Sequence, residues 1–179
     1  MKIKSVISVC KANKTIILSE NNSYQWISDG AAIYPMFGLP KMTKDQVLTM
    51  FDIPEDKRNG FYFEEKPFPR ICFDDSVTDE TKLERAKLSL YVGGIMLEPL
   101  KTSQGITYID ERYLKPFDNT PIELYERNTR DGQTYIAVKE GFLLTGIITP
   151  CDPINEDFVN QLNDLYTLSD MALENKGSE

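Results

Sequence analysis

Four acidic side chains within seven residues, Asp74, Asp75, Asp79 and Glu80, are the densest set of chemistry-bearing groups in this chain. Their oxygens suit a divalent cation. The spacing is not that of an EF-hand, however, and the sharp-turn glycine is missing. A solvated acidic loop is the expected form. Ser8-Val9-Cys10-Lys11 matches the SxxK pattern of serine acyl enzymes. That chemistry needs a helical turn, with serine and lysine on one face. The surrounding alternation predicts a strand, which would put them on opposite faces, and the companion motifs are absent. Asp110-Glu111 and Glu64-Glu65 are adjacent in sequence and make no convincing glycosidase pair. Cys10, Cys72 and Cys151 form no CxxC pair, so they support neither a zinc knuckle nor a disulfide framework. Gly93-Gly94 lacks the third glycine of a dinucleotide loop, and no GxxxxGK[ST] is present. No catalytic residue, metal ligand or cofactor site is expected.

The 179 residues include no histidine. Ser-His-Asp and Cys-His catalysis, histidine metal sites and histidine proton shuttles are thereby excluded. A thiolate would need lysine, arginine or a helix N-terminus for activation. Only Cys151 lies near an expected helix start, and it reads as structural. The net charge of −8 is uneven: residues 1–60 carry +2, 61–120 carry −3 and 121–179 carry −7. The acidic C-terminal third is unsuited to nucleic acid or an anionic membrane and suits a basic partner. Glu156, Asp157, Asp164 and Asp170 join Asp74, Asp75, Asp79 and Glu80 as candidate partner-binding residues. No run approaches the roughly 18 apolar residues of a membrane span. The basic N-terminus is not followed by an uninterrupted apolar stretch, so a cytoplasmic protein is expected.

The elements that must carry these groups are short. Residues 3–10 alternate with β-branched side chains and predict a strand, paired through the Ala12-Asn13-Lys14 turn with Thr15–Leu18. Tyr24–Ile27 predicts a third strand, ended by Asp29-Gly30. The loop around Pro35 and Pro40 is expected to pack down Tyr34, Met36, Phe37 and Leu39. Thr43-Lys44-Asp45-Gln46 is a capping box opening a helix over 44–52, stopped by Pro54. Phe61–Phe63 and Ile71–Phe73 flank Pro67-Phe68-Pro69, and two prolines so close suit edge strands or a rigid extended link. Leu83–Val92 is ambiguous, with Leu83–Ala86 readable as a helical turn and Leu88–Val92 as a strand. Further strands between Leu88 and Thr149, joined by short turns at Gly93-Gly94, Gln104-Gly105, Asp131-Gly132 and Glu140-Gly141, suggest an antiparallel meander. Asn155 can cap a C-terminal helix over 156–172, with Phe158, Val159, Leu162, Leu165, Tyr166 and Met171 as its apolar face. The fold class is α+β, one domain over 1–179, with a possible sub-division near 76–82 and a flexible tail at 174–179. Most aromatics fall at core spacing.

Tyr24-Gln25-Trp26-Ile27-Ser28-Asp29-Gly30, Ala32-Ile33-Tyr34-Pro35, Met50-Phe51-Asp52-Ile53-Pro54, Pro99-Leu100-Lys101-Thr102-Ser103 and Tyr113-Leu114-Lys115-Pro116-Phe117 together resemble a family of proteins from phages and mobile elements of Clostridia and related Firmicutes. The resemblance runs over roughly residues 3–150. This family resembles or includes an inhibitor of the type II-A CRISPR nuclease Cas9. The resemblance implies a non-enzymatic, phage-encoded binder of Cas9 or its guide-RNA complex in the bacterial cytoplasm. It carries over no catalytic residue. The alternatives are a phage structural or assembly protein and a carboxylate-metal hydrolase.

Overall fold

The computed structural model describes residues 1–21 and 24–176. The chain opens with a helix, α1 (Ile3–Asn13), where alternation predicts a strand. Ile3, Val6, Ile7 and Cys10 also recur at helical spacing, and that period wins because it buries one face: Val6 and Cys10 are fully enclosed, with Val9 beside them. Lys14 ends the helix in the left-handed conformation and donates its N–H to the carbonyls of Cys10 and Lys11. The expected opening hairpin is therefore a helix–strand unit.

β1 (Thr15–Asn21), β2 (Tyr24–Ser28) and β3 (Ala32–Pro35) follow as an antiparallel meander. The Asp29 carboxylate accepts from the N–H groups of Ala31 and Ala32 and shapes the turn between β2 and β3. The capping box at Thr43 forms, with the Thr43 N–H bonded to the Gln46 side chain. The helix it opens, α2 (Lys44–Met50), is two residues shorter than expected. Asp52 turns left-handed (φ 51°) just past its end. One further turn, α3 (Glu55–Arg58), leads to β4 (Tyr62–Glu65), which adds to β1 as a parallel strand.

β5 (Thr81–Arg85) is a strand paired with β9, not the helical turn expected over Leu83–Ala86. β6 (Leu90–Val92), β7 (Ile95–Thr102) and β8 (Gly105–Asp110) are joined by tight turns. A 3₁₀ helix (Glu111–Phe117), begun by the Asp110 side chain accepting from the Arg112 N–H, leads to β9 (Glu123–Asn128), β10 (Thr134–Glu140) and β11 (Leu143–Ile148). The strand order is β4-β1-β2-β3-β11-β10-β9-β5-β7-β6, with β8 on β7. The expected meander is interrupted: β8 does not pair with β9, and β5 stands between β9 and β7. All pairings but β1–β4 are antiparallel. A long helix, α4 (Glu156–Lys176), closes the described chain, with the Phe158 N–H bonded to Asn155 Oδ1 at 2.9 Å. It continues past residue 172, and residues 177–179 of the expected tail lie outside the described residues.

The sheet has two covered faces. Ile16, Leu18, Ile27, Tyr34, Ile136, Val138 and Ile148 meet α1, α2 and the 3₁₀ helix in the larger core. Trp26, Ile33, Tyr135, Ala137, Leu144 and Ile147 form the opposite face. Ile71–Phe73, expected as an edge strand or a rigid extended link, lies outside the sheet and packs on this second face.

Among the described glycines, Gly146 of β11 has the closest neighbour. A Cβ there would sit 2.6 Å from Cζ of the buried Phe117 ring. Gly146→Ala should therefore destabilise the protein by about 1–3 kcal/mol in urea unfolding, and Phe117→Leu in the same chain should recover part of the loss.

Candidate functional site: an acidic strap and an aromatic cleft

Residues 66–80 contain no regular strand, yet they cross a sheet face rich in apolar side chains. Phe68, Ile71 and Phe73 drop into the second core. With no ladder to bond to, the carbonyls of this strap need donors. Arg127 of β9 supplies them. Its side chain is 1% exposed. Nη1 donates to the Asp74 carbonyl at 2.8 Å and the Cys72 carbonyl at 3.5 Å. Nη2 donates to the Asp75 carbonyl at 3.2 Å. Nε and Nη2 also fork onto the Glu80 carboxylate at 2.8 and 2.5 Å. All the nitrogens of the guanidinium are thus used, in the planar geometry that lysine lacks.

Lys139 of β10 donates to the other Glu80 oxygen at 2.5 Å and lies 4.7 Å from the centre of the Tyr125 ring. Burial pushes the Glu80 carboxyl up, but hydrogen bonds from Lys139 and Arg127 outweigh it and hold the group below its usual value of 4.5. Tyr135 adds a further peg, its hydroxyl accepting from the Cys72 N–H at 3.3 Å. Two cations and one carboxylate thus fill a pocket that would be costly to occupy with any one of them alone.

The arrangement divides the candidate acids. Glu80 is not on an exposed loop as expected. It is the strap's internal counter-ion, with 13% of its side chain exposed. Asp75 is exposed, and Oδ1 accepts from the Leu144 N–H at 2.8 Å, which fixes it at the start of β11. Asp74 is exposed, with Oδ2 3.4 Å from Cys72 Sγ. Asp79 is exposed at the turn before β5. Glu156, Asp157, Asp164 and Asp170 are all exposed on α4, which packs on a different small core of Leu97 and Tyr108.

Beside Asp75 opens a cleft of about 370 Å³ lined by Tyr24, Trp26, Phe37, Phe73 and Leu143. Trp26 sits 4.7 Å from Phe73, and Phe37 packs edge-on to Tyr24 at 4.9 Å. Phe37 and Leu39, expected to pack down, are 41% and 40% exposed, while Tyr34 and Met36 are buried as expected. Phe142, at the tip of the β10–β11 turn next to Leu143, is 87% exposed. The mouth of the cleft is therefore aromatic and apolar, with a fixed carboxylate at its edge. Such a surface can receive an apolar or cationic side chain of another protein.

The remaining chemistry-bearing groups are held in structural roles. Ser8 and Lys11 lie on α1, not on a strand, so the facing argument against the SxxK pattern does not hold. Ser8 is exposed, and Lys11 reaches the Asp52 carbonyl. Cys10 is enclosed under α1, where burial, then the nearby Asp29 charge, pushes its thiol up. Burial, then Asp110, raises Cys151 as well. Asn13 bridges the Asp29 carboxylate at 2.5 Å and the Tyr113 hydroxyl at 3.2 Å, tying α1 to the sheet and the 3₁₀ helix. Burial, reinforced by Asp29, pushes the Tyr113 hydroxyl up to about 12. Among the described residues, no three cysteine, aspartate or glutamate side chains converge to hold a metal ion. No helix among them is long and apolar enough to cross a membrane.

No protein family, curated protein sequence or solved structure matches this chain.

Arg127→Met should cost about 3–5 kcal/mol, because it leaves the Asp74 and Asp75 carbonyls without their donor and takes away one of the two cations that answer Glu80. Limited proteolysis should then cut within residues 70–80 while the sheet stays intact. Glu80 also sets a pH dependence. Its carboxyl titrates lower folded than unfolded, so its stabilisation is full above the usual value of 4.5 and fades as pH falls through the lowered one. Urea midpoints measured between pH 7 and pH 3 should show this loss. Glu80→Gln should start less stable at pH 7 and have a flatter profile.

Proposed function

We propose that this chain is a non-enzymatic inhibitor that binds a bacterial defence nuclease, most specifically the type II-A nuclease Cas9, alone or with its guide RNA. It acts in the cytoplasm of the bacterial host. The strap supports this reading. Arg127 fixes the backbone carbonyls of Asp74 and Asp75, so both carboxylates are presented from an ordered segment beside an exposed aromatic cleft. An apolar centre with a charged edge is the anatomy of a protein-binding patch. The edge is acidic, which fits a partner with a basic surface. Cas9 holds nucleic acid in basic channels and reads its target-adjacent motif with arginines. The choice of Cas9 among basic partners rests on the family resemblance of residues 3–150.

The test is a DNA-cleavage assay with guide-loaded Cas9. Near-stoichiometric protein should block cleavage, and the block should weaken as salt rises, because opposite charge speeds association. Phe142→Ser and Asp74→Lys, both at exposed positions, should each weaken inhibition by about tenfold at unchanged thermal stability. Full cleavage by several type II-A enzymes at large excess of the protein would remove Cas9 as the target.

A further inference from the structure

α4 is joined to the body at one end. Phe158 is 9% exposed and meets the Tyr108 ring edge-on at 5.7 Å, and Leu162 is partly buried beside it. Past that point the apolar side chains face no part of the fold. Leu165, Tyr166, Leu168, Met171 and Leu173 are between 56% and 71% exposed. Val159, Leu162, Leu165, Tyr166, Ala172 and Leu173 recur three, four and seven residues apart, so they share one side of the helix. This face meets the body only over the helix's first two turns.

The edges of the stripe say what can cover it. At about 100° per residue, Asp157 and Asp164 flank it on one side and Glu156 and Asp170 on the other. Lys176 is the only basic residue in the helix. A second copy laid along the stripe would bring acid against acid on both edges, a repulsive arrangement for paired helices. A segment with the same apolar stripe and basic edges would meet apolar with apolar and acid with base.

We propose that α4 docks through this stripe onto an amphipathic helical segment of a partner protein, apolar along its centre and edged by lysine and arginine. This rests on the reading of the chain as a protein-binding module, but not on Cas9 as the target. Burial of exposed helix apolar surface supplies the affinity, and the acidic edges supply selectivity and on-rate.

The probe is a fluorescent peptide of about five helical turns, built from leucine and lysine with the leucines at helical spacing. Two controls accompany it: one with the same composition in scrambled order, the other with the same stripe but glutamate in place of lysine. Fluorescence anisotropy with the full chain should show binding of the first peptide at least tenfold tighter than of either control. The variant Leu165→Ser/Tyr166→Ser/Leu173→Ser should lose that binding while its thermal midpoint stays put, since these side chains support nothing in the body. Asp164→Lys/Asp170→Lys, which keeps the stripe, should weaken it as well and abolish its salt dependence. Equal binding of all three peptides, no binding at all, or full binding by both variants would overturn the proposal. So would dimerisation in sedimentation experiments that the serine variant abolishes, because the occupant would then be a second copy. The assay contains no nuclease, so its failure is separate from a failure to inhibit Cas9.

Discussion

A buried guanidinium governs the second face of this sheet. Without Arg127, the segment from Lys66 to Glu80 would be an irregular strand of backbone lying on apolar side chains with the Asp74 and Asp75 carbonyls unbonded. With it, three carbonyls and one carboxylate share a single planar donor. The charge does not stand alone, because Glu80 answers it and Lys139 answers what remains on Glu80. The two cations sit on inward positions of neighbouring strands, so the sheet itself sets the spacing between them. The rest of the cover on this face follows from it: Phe73 is seated against Trp26, Asp75 meets the Leu144 N–H, and the cleft acquires its wall.

The two faces are covered by different physics. The larger core is closed by helices that satisfy their own backbones, so apolar packing suffices. There the polar groups are few and paired, as with Asn13 between Asp29 and Tyr113. The second face is closed by a strap that satisfies almost none of its own backbone, so it needs a polar network. That network places ordered carboxylates at the surface, where helical cover would have placed an ordinary solvated face.

Elements marked by local chemistry were legible in the sequence. Gly93-Gly94, Asp131-Gly132 and Glu140-Gly141 marked hairpins that form, Thr43 and Asn155 marked helix starts that form, and Pro54 marked a helix end. Residues 3–10 misled because their apolar positions satisfy both periods, and only the presence of a core on one side decides between them. The site was harder to read. The Arg127–Glu80 pair spans 47 residues, and no local pattern reports so distant a partner. A clue existed: Arg127 and Lys139 fall in strands whose alternation directs them inward, where an unpaired cation is not tolerated. Phe37 and Phe142 carried no signal of exposure, because an aromatic residue in a loop reads the same whether it packs or projects. The acids of α4 were correctly placed on a helix, but its uncovered stripe depends on where the helix leaves the body, which no periodicity encodes.

The seam between β3 and β11 has a consequence for how the molecule is made. Ile33 and Ala32 pair with Ile147 and Ile148, and the Thr149 N–H bonds the Ala31 carbonyl, so residues more than a hundred positions apart join the two halves of the sheet. Each half can zip locally through its own hairpins, but the seam must close a very long loop, which makes it the slow contact in folding. During synthesis the edge of β3 stays open until the end of β11 has emerged from the ribosome. For most of its production the N-terminal half is a sheet with a bare, apolar-flanked edge, the kind of edge on which neighbouring chains pair and aggregate. The last strand of the sheet is therefore also its guard, and a chain cut short before Ile148 loses the cover of that edge as well as the strand.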